Sequence, residues 1–357
     1  MRKNYFKQLF AAMVTLFISA TVSAHDFEVD GIYYNIIGEN EVSVTFQGED
    51  SGEYTHEYIG HIEIPEVVTY EGKTYNVTTL GRYAFDMNSY MKQIRIPNSI
   101  TKIEECAFRH CTGLTNLIIP NSVTHIEDYA FVFCRNVTEL TISNNIKSMG
   151  IYPFQDWDNL KNVVIPDCLT SVVWGMFYGC DKLEDVTIPS SVTIIDKYAF
   201  SDCKALKNIV IPKNVTEIGE SAFYRCYELT TIYMNPTTPP VAFENSFTFS
   251  KDTYTKATLY VPKGSIDAYK AASVWREFIN IQEYEATSMD NIDANNITIK
   301  ATANGILISN ADGKSVTVHS TNGYLVETID NYAGEEITLD KGFYIVCVGN
   351  KTMKVKL

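Results

Sequence analysis

A period of 23 residues governs this chain: stepping from Phe108 in both directions lands on Phe85, Phe131, Phe154, Phe177, Phe200 and Phe223. The same step carries Met91, Leu114, Val137, Leu160, Leu183, Leu206 and Leu229. It also carries Ile94, Leu117, Leu140, Val163, Val186, Ile209 and Ile232, and two positions on, Ile96, Ile119, Ile142, Ile165, Ile188, Ile211 and Met234. Several apolar columns in one phase mean that each copy takes the same local structure, and a fixed period of this size marks a solenoid. One such unit cannot bury its own apolar face, so the stack is the unit of stability.

Within each copy, apolar residues two apart, such as Leu117 and Ile119, read as one face of a short strand. Pro97, Pro120, Pro166, Pro189 and Pro212 then stop the strand, because proline brings no N–H to the next ladder bond. A second apolar pair follows, for example Val123 and Ile126, and the Ala130–Phe131 pair after it predicts a helical turn folding back over the core. The alternation places the isoleucine columns inward. Two columns then face out: one from Gln93 to Thr231, and one made of Arg95, Ile118, Thr141, Val164, Thr187, Val210 and Tyr233. Apolar members of the second column, Ile118, Val164, Val210 and Tyr233, have no folding reason to stand on an open face, which makes that column the candidate partner-binding surface.

The flanks divide the chain further. Residues 1–24 combine basic Arg2, Lys3 and Lys7, an apolar run from Leu9 to Ile18, and small residues Ser23 and Ala24, the pattern of a secretory signal peptide cleaved near Ala24. Residues 25–72 are strand-like and predict an N-terminal β cap, 73–234 hold seven repeats, and 235–284 predict a C-terminal cap of strand and helix with Ser265 as N-cap. On that helix Ile266, Tyr269, Ala272 and Val274 to Phe278 share one apolar side. Polar residues 285–296 read as a linker, and 297–357 alternate apolar and polar around Asn304–Gly305, Asp312–Gly313 and Asn322–Gly323, as in a small β-sandwich built of hairpins.

Charge excludes one class of partner. The formal net charge is -14, and loss of the three leader bases takes it to -17, whereas nucleic-acid binding rests on Lys and Arg neutralising phosphates. Cys111, Cys134, Cys180, Cys203 and Cys226 share one column with Trp157, so they read as small core-filling side chains and not as a disulfide framework or a zinc site. The six histidines, His25, His56, His61, His110, His125 and His319, yield no catalytic pairing; the nearest, His110 beside Cys111, sets a histidine against a core thiol. No metalloprotease, hydrolase, phosphate-loop or dinucleotide motif is present in the sequence. The residues thus predict no catalytic, cofactor-binding or metal-binding site.

The unit Phe200, Cys203, Leu206, Ile209, Ile211, Pro212 and Val215 resembles the BspA-like leucine-rich repeat family of bacterial surface proteins. The segments GIYYNII and HIEIPEVVTYEGKTYNVTTLGRYAF before the array, and LYVPKGSIDAYKAASVWREF after it, resemble that family's caps. The resemblance implies an α/β leucine-rich repeat solenoid, mostly β, and a secreted or cell-surface adhesin that binds host or microbial macromolecules without catalysis or cofactor. It also implies that Ser99, Ser122, Asn145, Cys168, Ser191 and Asn214 bond the backbone as the chain leaves the strand. The tail (SVTVHSTNGYLVETI, LDKGFYIVCV, KTMKVKL) resembles the C-terminal sorting domain of type IX secretion in Bacteroidetes, although an accessory sandwich alternates in the same way. Two binding readings stand: a protein-binding adhesin, and a glycan-capturing module that would need exposed aromatic rings clustered on one face. Tyr83, Tyr129, Tyr152 and Tyr198 share a column beside the Ala-Phe pair, where packing accounts for them, and this favours protein binding.

Overall fold

A computed structural model describes residues 25–48, 57–243 and 247–284 of the array and its flanks. In the tail it describes 298–302, 304–309, 315–320, 325–330, 332–340, 343–348 and 351–356. The leader, the 285–296 linker, His56 and the turns at Asp312–Gly313 and Asn322–Gly323 lie outside the described residues.

Each coil contributes three sides. The longest is a row of parallel strands that begins at Gly60–Glu63 and Met91–Arg95 and passes through Asn116–Ile118, Glu139–Thr141, Asn162–Val164, Asp185–Thr187 and Asn208–Ile211 to Thr231–Met234. The row does not stop there: Thr258–Pro262 and Asn280–Tyr284 add two more parallel strands. Its hydrogen bonds join the strands in groups, with separate pairs between Asn116–Ile118 and Glu139–Thr141 and between Asn162–Val164 and Asp185–Thr187, not in one unbroken sheet. A second side is a row of two-residue strands from Lys102–Ile103 to Val241–Ala242, where Thr124, Thr193 and Thr216 hydroxyls each donate to the threonine carbonyl one coil back.

The third side departs from the helical turn that the Ala-Phe pair predicts. Residues 81–88 form three overlapping turns, with the N–H of Ala84, Asp86 and Asn88 donating to the carbonyls of Gly81, Tyr83 and Phe85. Tyr83 and Met87 have positive φ, of 59° and 55°, at the third position of their turns, as in type II geometry. This frees the N–H groups of Tyr83, Phe85 and Met87 to donate to Glu105, Ala107 and Arg109 of the next coil. The same three bonds recur down the array, for example from Tyr152, Phe154 and Asp156 to Trp174, Met176 and Tyr178. A helix would turn those donors back into its own coil.

Inside this ladder the phenylalanine column forms a stack of rings. Neighbouring rings from Phe85 to Phe249 lie 4.9–5.9 Å apart with planes 7–21° from parallel. Phe249 follows Phe223 by 26 residues, so the column outlasts the 23-residue period. Tyr58 meets Phe85 edge-on at 4.9 Å and donates its hydroxyl to the Thr45 carbonyl, closing one end. Trp275 meets Phe249 edge-on at 5.9 Å and donates to the Pro240 carbonyl, closing the other.

The cysteine column does more than fill space. Each Sγ donates to the phenylalanine carbonyl 26 residues back: Cys111 to Phe85, Cys134 to Phe108, Cys180 to Phe154, Cys203 to Phe177 and Cys226 to Phe200, at 2.9–3.4 Å. Trp157 takes the same place with its indole N–H, 2.7 Å from the Phe131 carbonyl. The seven cysteines other than Cys347 are free thiols. In the outer ladder Asn145, Ser191 and Asn214 bond backbone carbonyls of the preceding coil, whereas the hydroxyls of Ser99 and Ser122 are buried without a partner.

The ends differ in detail from their sequence reading. Phe27–Val29, Ile32–Gly38 and Glu41–Thr45 form an antiparallel meander that joins Lys73–Leu80, the strand that starts the short-strand side. After the array, the predicted single helix is a helix at Ile266–Ala271 and a separate 3₁₀ turn at Trp275–Glu277, because Val274 takes a φ of 70°. Ser265 is a buried residue in the right-handed region with no side-chain cap bond, and a further short helix spans Lys251–Lys256. The tail makes two antiparallel sheets, with strand orders running from Thr298–Ala301 to Ile337–Thr338 and from Leu325–Ile329 to Lys351–Lys356, around its own cluster that includes Ile306, Val318, Tyr332 and Val346.

Because Phe154 is buried between two parallel rings, its truncation to Ala should cost about 3–5 kcal/mol. A denaturant melt of Phe154→Ala measures this, and native-state hydrogen exchange should show the loss of protection at Phe131 and Met176 as well as in the coil of Phe154 itself.

Candidate functional site

The outward column of the long-strand side is set by alternation. Ile96, Ile119, Ile142, Ile165, Ile188, Ile211 and Met234 are buried, and Arg95, Ile118, Thr141, Val164, Thr187, Val210 and Tyr233 between them and the polar row are half-buried. Strand register sets Thr141 beside Ile118, Val164 beside Thr187 and Tyr233 beside Val210. Arg95 lies opposite Glu63, with a guanidinium nitrogen 3.9 Å from its carboxylate. The parallel row Glu139, Asn162, Asp185 and Asn208 is exposed along its flank.

The column is longer than its period. Tyr260 pairs with Tyr233 in register and stacks on it at 4.7 Å and 20°, and Tyr284 meets Tyr233 edge-on at 5.9 Å. Tyr284 also donates toward the Met234 carbonyl and Asn235. Burial pushes the Tyr233 phenol pKa up, with Tyr260 adding to the shift. Sequence reasoning missed Tyr260 and Tyr284 because they follow Tyr233 by 27 and 51 residues, out of phase with the repeat. Their signal was local: LYVP after TIYM repeats the strand-then-proline signature at a different spacing.

The structure does not pair His110 with Cys111. Cys111 is buried with its sulfur on the Phe85 carbonyl, and desolvation pushes the thiols of Cys111, Cys180, Cys203 and Cys226 well up. His110 points away to stack on Phe133 at 4.3 Å, and burial lowers its pKa. Among the described residues, no group of three or more His, Cys, Asp or Glu side chains is arranged to hold a metal ion. No helix among them is long and apolar enough to cross a membrane.

Stacked coils of fixed length, one parallel strand row, a phenylalanine stack and capped ends define a leucine-rich repeat solenoid. The chain belongs to the family described as the BspA type leucine-rich repeat region, whose model matches six copies at residues 68–174 and 171–259, more than half of the sequence. Among solved structures, a leucine-rich cell surface protein from Faecalibacterium prausnitzii is 31% identical with a TM-score of 0.51, the match covering 60% of this chain and 55% of that one. This chain therefore spans little more than half the length of that relative. A leucine-rich repeat protein from Bacteroides ovatus is 22% identical over 73% of this chain and 77% of its own, with a TM-score of 0.46. The leucine-rich repeat protein of T. pallidum is 20% identical over 57% of this chain and 90% of its own, with a TM-score of 0.47. None of the curated proteins matches the chain.

The burial of the thiols has a direct chemical readout. Iodoacetamide at pH 8 should modify half-buried Cys168 well before any of Cys111, Cys134, Cys180, Cys203 or Cys226 in the native protein, with mass mapping as the measurement. Labelling of the column at the rate of Cys168 would show that those sulfurs are open to solvent.

Proposed function

We propose that this chain is a secreted or cell-surface, adhesin-like protein that binds an extracellular protein of a host or another microbe through the outward column of its long-strand side. The observation that carries this reading is the continuous row from Arg95 to Tyr233, extended by Tyr260, in which β-branched and aromatic side chains stand half-buried on a face the core does not use. Open apolar and aromatic positions of this kind are what a partner's interface core requires. A relative described as a cell surface protein supports the location. Export fits the basic, then apolar, then small-residue pattern of residues 1–24, with cleavage near Ala24, and the tail would act as a type IX sorting signal or as a retained accessory domain.

Area bears on how a partner binds. Ten strands leave nine gaps of about 4.8 Å, roughly 43 Å, and at roughly 15 Å of strand length the face offers on the order of 650 Å². A standard interface takes roughly 800 Å² from each partner, so the partner also reaches the loops or a cap at the rim. The polar row beside the column supplies rim hydrogen bonds from Glu139, Asn162, Asp185 and Asn208.

The test is a pull-down of the mature chain against extracellular matrix proteins, repeated with a Val164→Glu, Tyr233→Ala double variant. Capture should fall at least ~10-fold, since two interface-core positions are lost. Undiminished capture by the folded double variant would remove this face from consideration.

A further inference from the structure

The turn side carries a second surface, built on the tyrosine column. Tyr129 and Tyr152 stack at 5.6 Å with planes 4° apart. At the next coil the column holds Gly175, with a φ of 61°, where a Cβ would stand 2.2 Å from the Tyr152 ring. The Tyr152 ring therefore lies between Tyr129 and the Gly175 backbone, meeting Trp174 at 6.2 Å and the edge of Tyr178 at 6.0 Å, and Tyr178 in turn meets Tyr198 at 6.3 Å. None of these five rings belongs to the buried core cluster. Trp174 is 37% exposed, with the Lys197 ammonium 5.8 Å from its ring centroid, whereas Trp157 and Trp275 are fully buried.

A second glycine prepares a polar group in the same place. Gly179, at a φ of 72°, lies under the Asp156 carboxylate, where a Cβ would come within 2.2 Å of Oδ1. Asp156 accepts from the Gln155 amide at 2.7 Å, and desolvation raises its pKa. The surrounding charges are matched in pairs: Arg135 with Asp158, Lys204 with Asp181, Arg225 with Asp202 and Lys197 with Glu220. Those pairs leave the patch without a block of positive charge to recruit an anion, and the Asp156 carboxylate stands among them as a hydrogen-bond acceptor. It offers the exposed Trp174 ring for C–H groups, and phenols, an amide and a carboxylate for hydroxyls.

From this arrangement we infer that the turn face around Tyr152, Trp174 and Tyr178 is a glycan-binding site for neutral, pyranose-containing polysaccharides. A pyranose has both features the patch matches, an apolar C–H face and a rim of uncharged hydroxyls. Trp174 supplies the platform, Tyr152 and Tyr178 flank it, and Asp156 with Gln155 supply the hydrogen-bonding groups. The inference rests on reading the array as a binding module but uses a different face from the protein-binding column, so one can fail without the other.

Trp174 is its own reporter, because iodide reaches it and not the two buried tryptophans. The mature chain is titrated with dextran, mannan, xylan and laminarin, with polylysine and heparin as charged controls, and iodide quenching of tryptophan fluorescence is followed. At least one neutral polysaccharide should protect Trp174 saturably. Tyr152→Ala and Tyr178→Ala, whose rings lie outside the core, should leave the chain folded and weaken half-saturation by roughly 2- to 10-fold, as expected for loss of an aromatic contact. Asp156→Asn should weaken it as well, while capture of protein partners stays unchanged in all three. Protection by none of the four neutral polysaccharides, protection by polylysine or heparin alone, or undiminished protection in folded Tyr152→Ala would each overturn the assignment.

Discussion

The fold depends on the backbone ladder between successive turns. On the strand sides, coil-to-coil hydrogen bonds are grouped and in places absent, but at the turns the same three N–H groups reach the next coil at each step between Tyr83 and Asp202. They are free to do so because two residues of each turn adopt positive φ, a conformation that costs a non-glycine residue on the order of 1–3 kcal/mol. The cost is offset by the pairing of buried polar backbone along the stack and by the contacts that pairing permits. Chief among these is the phenylalanine stack, whose rings are held at the spacing of the coils that carry them.

From that ladder the rules of the neighbouring columns follow. A phenylalanine carbonyl points toward the following coil, and the residue that meets it must carry a compact donor or an indole: five cysteines and one tryptophan do so. Volume alone would not explain why Cys and Trp alternate in one column, since they differ so much in size; a shared acceptor does. Asn88 stands at the head of the same column, buried, and there accepts the N–H of Met91 and of Tyr90 to shape the start of the first coil.

A solenoid also turns sequence columns into surface rows, and a single departure from the repeat changes a row locally. Gly175 is such a departure. By removing one side chain from the tyrosine column it lets Tyr152 lean over and brings Trp174 and Tyr178, from two other columns, into one cluster. On the strand side the departure is one of spacing, and the 27-residue step to Tyr260 adds an aromatic pair at the end of an otherwise β-branched row.

The period by itself determined the solenoid, the inward isoleucine columns, the buried phenylalanines and the outward column from Arg95 to Tyr233, because side-chain alternation in a strand and a constant coil length leave no second register. The turn could not be read in the same way. Positive φ is ordinarily announced by glycine, and here Tyr83, Tyr129, Tyr152 and Tyr198 hold that position, so the letters suggest a helical turn where neighbouring coils impose a ladder. The split of the C-terminal helix at Val274 and the extra strands at Thr258–Pro262 and Asn280–Tyr284 likewise arise from docking onto the last coil, which offers hydrogen bonds and the edge of Phe249 that no local propensity encodes. The clustering of Tyr152, Trp174 and Tyr178 was decided by tertiary structure alone, since residues in different columns meet only when the stacking of coils sets the distance and a glycine leaves the room.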